Sequence, residues 1–157
     1  MIEIRQQIDS DAEDVKFITA VTTDELRTVY RPVKPFVKNK NENNNEKTIY
    51  IVAVVNENVV GIAEYVIYDN SILIRGLAVS PMHRRQGVAK AIIDHITLCA
   101  KKDIRTQLTL STIKETGNTH AFLHMGFTID SEEISEKFEG INGEQVTIVK
   151  MTKNYHK

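Results

Sequence analysis

LAVSPMHRRQGVAKAII (residues 77–93) passes from an apolar run, through a Ser-Pro step and three consecutive basic residues, into a stretch with helical spacing. Val88, Ile92, Ile96 and Cys99 recur at about 3.6 residues, while Lys90, Asp94, Thr97 and Lys101 fall on the opposite face. The period predicts an amphipathic helix from Val88, packed on a sheet. Gly87 follows Arg84 by three residues and Ala89 follows Gly87 by two, which puts R-x-x-G-x-A at the strand-to-helix junction. The first N–H groups of a helix lack intrahelical partners, and the helix dipole adds partial positive charge there. Glycine admits a close approach to the backbone, a small residue at 89 keeps the helix start open, and His83, Arg84, Arg85 and Lys90 supply charge. The arrangement suits a phosphate, although a basic turn taken alone is more often plain solvated surface. No G-K-[ST] and no G-x-G-x-x-G occurs, which excludes the Walker and dinucleotide loops.

Three apolar runs lead into this stretch: TIYIVAVV (48–55), VVGIAEYVIY (59–68) and ILIRGLAV (72–79). Short polar breaks between β-branched runs predict an antiparallel meander. If Asp69-Asn70 is a two-residue turn, Tyr68 pairs with Ser71 and Glu64 lies opposite Arg75. Further upstream, Ile2, Ile4 and Ile8 suit a short strand, and Ser10 with Glu13 forms a capping-box pattern. That box opens a helix bearing Ala12, Val15, Ile18 and Phe17. A second helix is expected from Thr23 or Asp24, carrying Leu26, Val29 and Tyr30 and ended by Pro32 and Pro35. KNKNENNNEK (38–47) has nothing to bury and predicts a mobile loop inside one domain. Downstream, RTQLTLST (105–112) predicts a strand, and residues 118–125 a helix closed by Gly126. A last hairpin is expected to turn at Ile141-Asn142-Gly143. The expected order is strand, two helices, three strands, helix, strand, helix, two strands.

The 157 residues are enough for one domain with its own core. Twenty Lys+Arg stand against 21 Asp+Glu, a net charge of −1, so no nucleic-acid or membrane partner is expected. Cys99 is alone, no zinc spacing occurs, and no apolar run approaches about 20 residues. The expected setting is cytoplasmic.

With these neighbours, LAVSPMHRRQGVAKAII resembles the central motif of the GNAT superfamily of acyl-CoA N-acyltransferases, and ETGNTHAFLHMGF (115–127) is similar to that family's second signature. The resemblance covers essentially the whole chain. It implies an α+β fold in a single domain, 1–157, with a mixed, mostly antiparallel seven-stranded sheet flanked by about four helices. It also implies a coenzyme A site. The backbone of Leu77, Ala78 and Val79 would bond the pantetheine arm, and the amides of Arg84, Arg85, Gln86, Gly87, Val88, Ala89 and Lys90 would cradle the pyrophosphate. Asn118 and Phe122 would line the other side, and one or two of His83, Arg84, Arg85 and Lys90 would face the 3′-phosphate. The implied activity is transfer of acetyl from acetyl-CoA, without a metal, to a primary amine of a small molecule or protein. The alternative is a coenzyme A-binding module with weak or no transferase activity.

Two features motivate that alternative. The family's usual thiolate-side tyrosine position is Phe122 here, and a phenyl ring donates no proton. Tyr65 and Tyr68 could substitute, or could simply pack in the sheet. ILIRGLAV carries no carboxylate, which leaves Glu64 as the candidate catalytic base. An arginine opposite favours the charged carboxylate and weakens it as a base, so a cross-strand ion pair fits Glu64 at least as well. Arg75 could instead grip an anionic group of the acceptor, and a water-mediated base needs no strong side chain. His120 and His124 lack a third metal ligand, and Cys99 reads as core. DSEEISEKFE (130–139) carries five carboxylates and one lysine, which would either favour a cationic amine or be solvated surface. An edge strand in the last hairpin could support a homodimer.

Overall fold

A computed structural model describes residues 1–34, 47–102 and 107–154. Among the described residues eight strands form one mixed sheet: β1 (Glu3–Gln6), β2 (Tyr30–Pro32), β3 (Lys47–Val55), β4 (Asn58–Ile67), β5 (Ser71–Val79), β6 (Gln107–Ile113), β7 (Thr128–Gly140) and β8 (Gln145–Asn154). Their spatial order is β1-β3-β4-β5-β6-β8-β7-β2, and every neighbouring pair is antiparallel except β5–β6. Three α-helices among the same residues cover the sheet: α1 (Ala12–Leu26), α2 (Val88–Lys102) and α3 (Asn118–His124). No helix among the described residues is long and apolar enough to cross a membrane. The expected mobile loop at 38–47 lies outside the described residues except for Lys47, which opens β3.

The two faces of the sheet carry separate cores. Val88, Ile92, Ile93 and Ile96 of α2 meet Ile51, Ala53, Tyr65, Ile72 and Ile74, while Ile18 of α1 meets Val52, Val54, Ile62 and Ala78 on the other face. The helical spacing from Val88 is therefore realised as a buried stripe, with Ala100 rather than the half-buried Cys99 at its far end. The meander forms as its turn residues dictate: Tyr68 N–H bonds Ser71 O at 2.9 Å, and Glu64 pairs with Arg75.

The sheet has one strand more than the seven expected, and one helix fewer than the four, for a single reason. Nothing between Ala12 and Leu26 is Gly or Pro, so α1 runs unbroken through Thr23 and Asp24, where a second helix was expected to begin. After a turn at 27–29 the chain enters β2, which pairs Tyr30, Arg31 and Pro32 with Gly140, Glu139 and Phe138 of β7. Proline is tolerated there because β2 is an edge strand. It also covers the end of β7, part of the edge the last hairpin was expected to leave open. Phe17, expected on the packed face of α1, is 62% exposed. The final turn spans 141–144, with Gly140 N–H bonding Glu144 O and Gly143 N–H bonding Gly140 O. Only Gly143 of these is left-handed, so it is not a two-residue Asn-Gly turn.

The Ser10–Glu13 capping box is replaced by Asp11. This buried carboxylate accepts the Ile8 N–H at 2.9 Å and receives Arg5 Nη1 and Nη2 at 2.8 and 3.0 Å. The Arg5 hydrogen bonds hold the Asp11 carboxyl below its ordinary 3.8, with the Ile8 N–H adding to the effect. Asp11→Ala should cost about 1 to 2 kcal/mol, read from urea denaturation at pH 7. A depressed carboxyl stabilises the fold above its unfolded value. The difference from wild type should therefore shrink as pH falls below 3.8 and through the lower folded value.

Candidate functional site

β5 and β6 are parallel neighbours for only three residue pairs, Ser71 with Gln107, Ile72 with Leu108 and Leu73 with Thr109. Beyond Leu73 the strands diverge into a wedge, so the β6-facing edge of residues 74–79 has no strand partner. A bulge sits at the mouth of this wedge. Glu64 pairs with Arg75 but Ile62 with Ala78, so Gly76 and Leu77 together face Ala63. Gly76 has φ +66°, a left-handed conformation that favours glycine. The extra residue reverses the alternation of side chains. Ile72 and Ile74 point to the α2-side core, Ala78 joins the α1-side cluster, and Leu77 turns back toward α2.

After β5 the chain makes one tight turn at Pro81–His83 and enters α2 through Arg85 (φ +62°) and Gly87 (φ +83°). Ala91 N–H is bonded to Gly87 O at 2.9 Å, so the amides of Val88, Ala89 and Lys90 form the unpaired first turn of the helix. A Cβ at Gly87 would meet nothing within 4 Å, so this side of the loop is open. The loop and the wedge share a cleft of about 720 Å³. Leu77, Ala78 and Val79 form one wall and Asn118 and Phe122 another, while Arg84, Arg85, Gly87, Val88, Ala89 and Lys90 stand at one end. Of the expected coenzyme residues only Gln86 does not line the cleft. Its Nε2 donates to Met82 O at 3.4 Å.

Arg84 lines the cleft and is also engaged within the protein. Its Nη1 and Nη2 donate to Glu25 Oε2 and Oε1 at 2.5 and 2.9 Å, and its Nε donates to Val79 O at 3.2 Å. It ties the loop to the end of β5 and to the last turn of α1, and the Arg84 hydrogen bonds hold the Glu25 carboxyl below its ordinary range. Arg85 and Lys90 remain as the loop's cations beside the open helix turn, Lys90 also pairing with Asp94 at 2.8 Å. Glu25, with Thr22 and Leu26, walls the cleft from α1. Sequence reasoning missed these three because the partner of Arg84 lies 59 residues away, on a helix whose end was misplaced.

Glu64 is half-buried on the α1 face, where its Oε1 accepts from Arg75 Nε at 2.7 Å. It lines a cavity of about 340 Å³ with Gln7, Thr19 and Tyr50, which meets the wedge at Leu26, Gly76 and Leu77 and the large cleft at Thr22, Leu26, Leu77 and Ala78. Tyr65 is buried in the α2-side core, and Tyr68 is exposed beside the β4–β5 turn. His120 and His124 are exposed with their rings 6.3 Å apart, and no cluster of three metal-ligating side chains occurs among the described residues. Phe122 packs edge-on against Phe127 at 5.9 Å.

Within the wedge a third cavity, of about 290 Å³, opens from the same Leu77, Asn118 and Phe122 that wall the large cleft. Tyr30 and Phe138 line it too, their rings edge to face at 5.1 Å. None of the five carboxylates of 130–139 lines any of these three cavities. Glu132 pairs with Lys114, Glu139 with Arg31, and Asp130 accepts from the Thr152 hydroxyl. Glu115, in the ETGN segment, accepts the Thr147 N–H of β8 at 2.7 Å.

A family model described as Acetyltransferase (GNAT) domain matches residues 46–129, which hold the meander, the loop, α2 and α3. No curated protein matches the chain. Among solved structures, smu.2055 from Streptococcus mutans UA159 is similar at TM-score 0.76 and 20% identity, over 97% of this chain and 98% of that one. The ribosomal-protein-S18-alanine N-acetyltransferase from Escherichia coli is similar at TM-score 0.73 and 15% identity, over 100% and 96%. A GNAT family acetyltransferase from Elizabethkingia anophelis with acetyl-CoA bound is similar at TM-score 0.61 and 16% identity, over 98% of each chain. At these identities the solved structures speak for the fold, and the family model, which spans more than half of the chain, speaks for its kinship. The chain belongs to the GNAT acetyltransferase family and is an acyltransferase.

Proposed function

We propose that the protein transfers the acetyl group of acetyl-CoA to a primary amine. The observation that carries this reading is the junction of two features: an open, left-handed glycine loop at a helix N-terminus and a wedge of unpaired strand edge, both on one cleft. The amides of Gly87, Val88, Ala89 and Lys90 would hold the pyrophosphate, with Arg85 and Lys90 adding charge. The exposed edge at Leu77 would bond the pantetheine amides, and Asn118 and Phe122 would press on it from α3. Arg84 would act from behind, bracing the loop through Glu25. Bound acetyl-CoA supplies the activated thioester.

The chain's own residues bind and orient more than they move protons. Among the described residues no carboxylate lines the wedge cavity, and Glu64 is engaged by Arg75 on the other face of β4. In this reading amine deprotonation is water-mediated, and thiolate departure proceeds without a hydroxyl at position 122. This makes the second reading, a coenzyme A-binding module with little activity, a specific alternative. Acetyl-CoA-dependent thiol release across a panel of primary amines and a peptide amino terminus separates the two. Turnover on at least one amine is expected; tight acetyl-CoA binding with no turnover on any would leave the binding module.

Phe122→Tyr should raise kcat by about tenfold with little change in the KM for acetyl-CoA, because a phenol at that ring position offers the departing thiolate a proton. Steady-state kinetics at saturating amine reads this directly. An unchanged kcat would mean that thiolate departure does not limit turnover.

A further inference from the structure

The wedge cavity constrains the acceptor beyond "a primary amine". Resting on the coenzyme assignment above, we infer that the acceptor is a small monoamine whose body is aromatic or branched apolar, and that a second cationic group on the acceptor is selected against.

Four observations carry this. The cavity opens from the coenzyme cleft at Leu77, Asn118 and Phe122, so a molecule lying in it faces the reacting end of that cleft. Its walls are largely apolar, with Ile74 and Leu110 on the two diverging strands and the Tyr30–Phe138 edge-to-face pair beside them. Aromatic edges and faces in that arrangement accept a third ring at similar centroid separations. Its volume, about 290 Å³, suits a molecule of one ring and a short arm rather than a long chain or an oligosaccharide.

The fourth observation is charge. Among the described residues lining the cavity there is no Asp or Glu, and its charged member, Arg75, is a cation held to Glu64 at 2.7 Å. A diamine or polyamine entering here would set a second ammonium against largely apolar walls, where the nearby Glu64 carboxylate is already engaged by Arg75 and no other carboxylate lines the cavity among the described residues. Ser111, on β6, offers a hydroxyl to orient a single amine without discriminating by charge. The acidic residues of 130–139 do not change this, since none of them reaches the cavity.

The test uses the full chain with phenethylamine, isoamylamine, putrescine and spermidine. It reads acetyl-CoA-dependent thiol release and, independently, calorimetric binding of each amine in the presence of coenzyme A. Phenethylamine is expected to bind at least about tenfold more tightly than spermidine and to show a correspondingly higher kcat/KM. Phe138→Ala should raise the KM for phenethylamine about tenfold and leave acetyl-CoA affinity near wild type. Ser111→Asp, which adds a carboxylate without removing the aromatic pair, should move the phenethylamine-to-spermidine preference toward spermidine by about tenfold. Binding that follows these preferences without thiol release would uphold the cavity assignment while refuting the transferase reading. Equal or tighter binding of spermidine by the wild type, or a Ser111→Asp protein with unaltered preference, overturns the inference.

Discussion

Gly87→Glu removes acetyl-CoA binding, with a rise in Kd of at least about a hundredfold, while the protein stays folded. A Cβ at position 87 meets nothing within 4 Å, so the side chain itself is accommodated. The cost to the free protein is the left-handed φ of +83°, about 1 to 2 kcal/mol for a non-glycine residue. The loss of binding has another origin. The carboxylate would lie over the unpaired amides of Val88, Ala89 and Lys90, where it satisfies the positive end of the helix and repels the phosphates meant for that place. Gly87→Ala carries the same backbone strain without the charge and should lose far less affinity. Calorimetric titration with acetyl-CoA, paired with a thermal melt, separates strain from occupancy. Normal binding by Gly87→Glu would refute the assignment of this loop.

Gly61→Val should be the most destabilising single change at the centre of the molecule, by about 3 kcal/mol, with a fall in Tm on the order of 10 °C. Gly61 sits on β4 where α2 crosses it. A Cβ there would stand 2.8 Å from Val88 Cγ1 and 3.2 Å from Ile92 Cδ1, both on fully packed side chains. Neither of these short branched residues can swing aside, so α2 would have to lift from the sheet. Because Val88 is also the first residue of the helix that presents the loop, the same displacement would move the phosphate amides relative to β5. Stability and acetyl-CoA affinity should therefore fall together in this variant, whereas they separate in Gly87→Glu. Urea denaturation measures the first and titration the second. A Gly61→Val protein within about 1 kcal/mol of wild type would show that α2 does not bear on β4 at this point.

The residues that repay reading along the chain are those whose behaviour depends on near neighbours. The 3.6-residue recurrence from Val88, the short breaks between the meander strands and the glycine before α2 could all be placed without knowing the fold. So could the Glu64–Arg75 pair, because a two-residue turn at Asp69-Asn70 sets the register for eleven residues. The end of α1 could not. Thr23 and Asp24 read as a new helix start because both are good caps, but nothing broke the preceding helix and the chain ran through them.

By itself the sequence determined the order of most elements, the amphipathic helix and its glycine loop, and the family kinship that the loop and the ETGN segment carry. The tertiary structure alone decided what those parts enclose. Arg84 meets Glu25 across 59 residues, and Arg31 meets Glu139 across 108. β2 closes on β7 to bring Tyr30 to Phe138. The bulge at Gly76 and Leu77 turns the end of β5 over, so that the alternation legible in ILIRGLAV reverses partway along it. The physical reason is common to all of these. Periodicity and turn chemistry are local energies, repeated along the chain and readable from it. The contacts that shape the wedge are long-range pairings, chosen only when the two faces of the sheet are packed against α1 and α2.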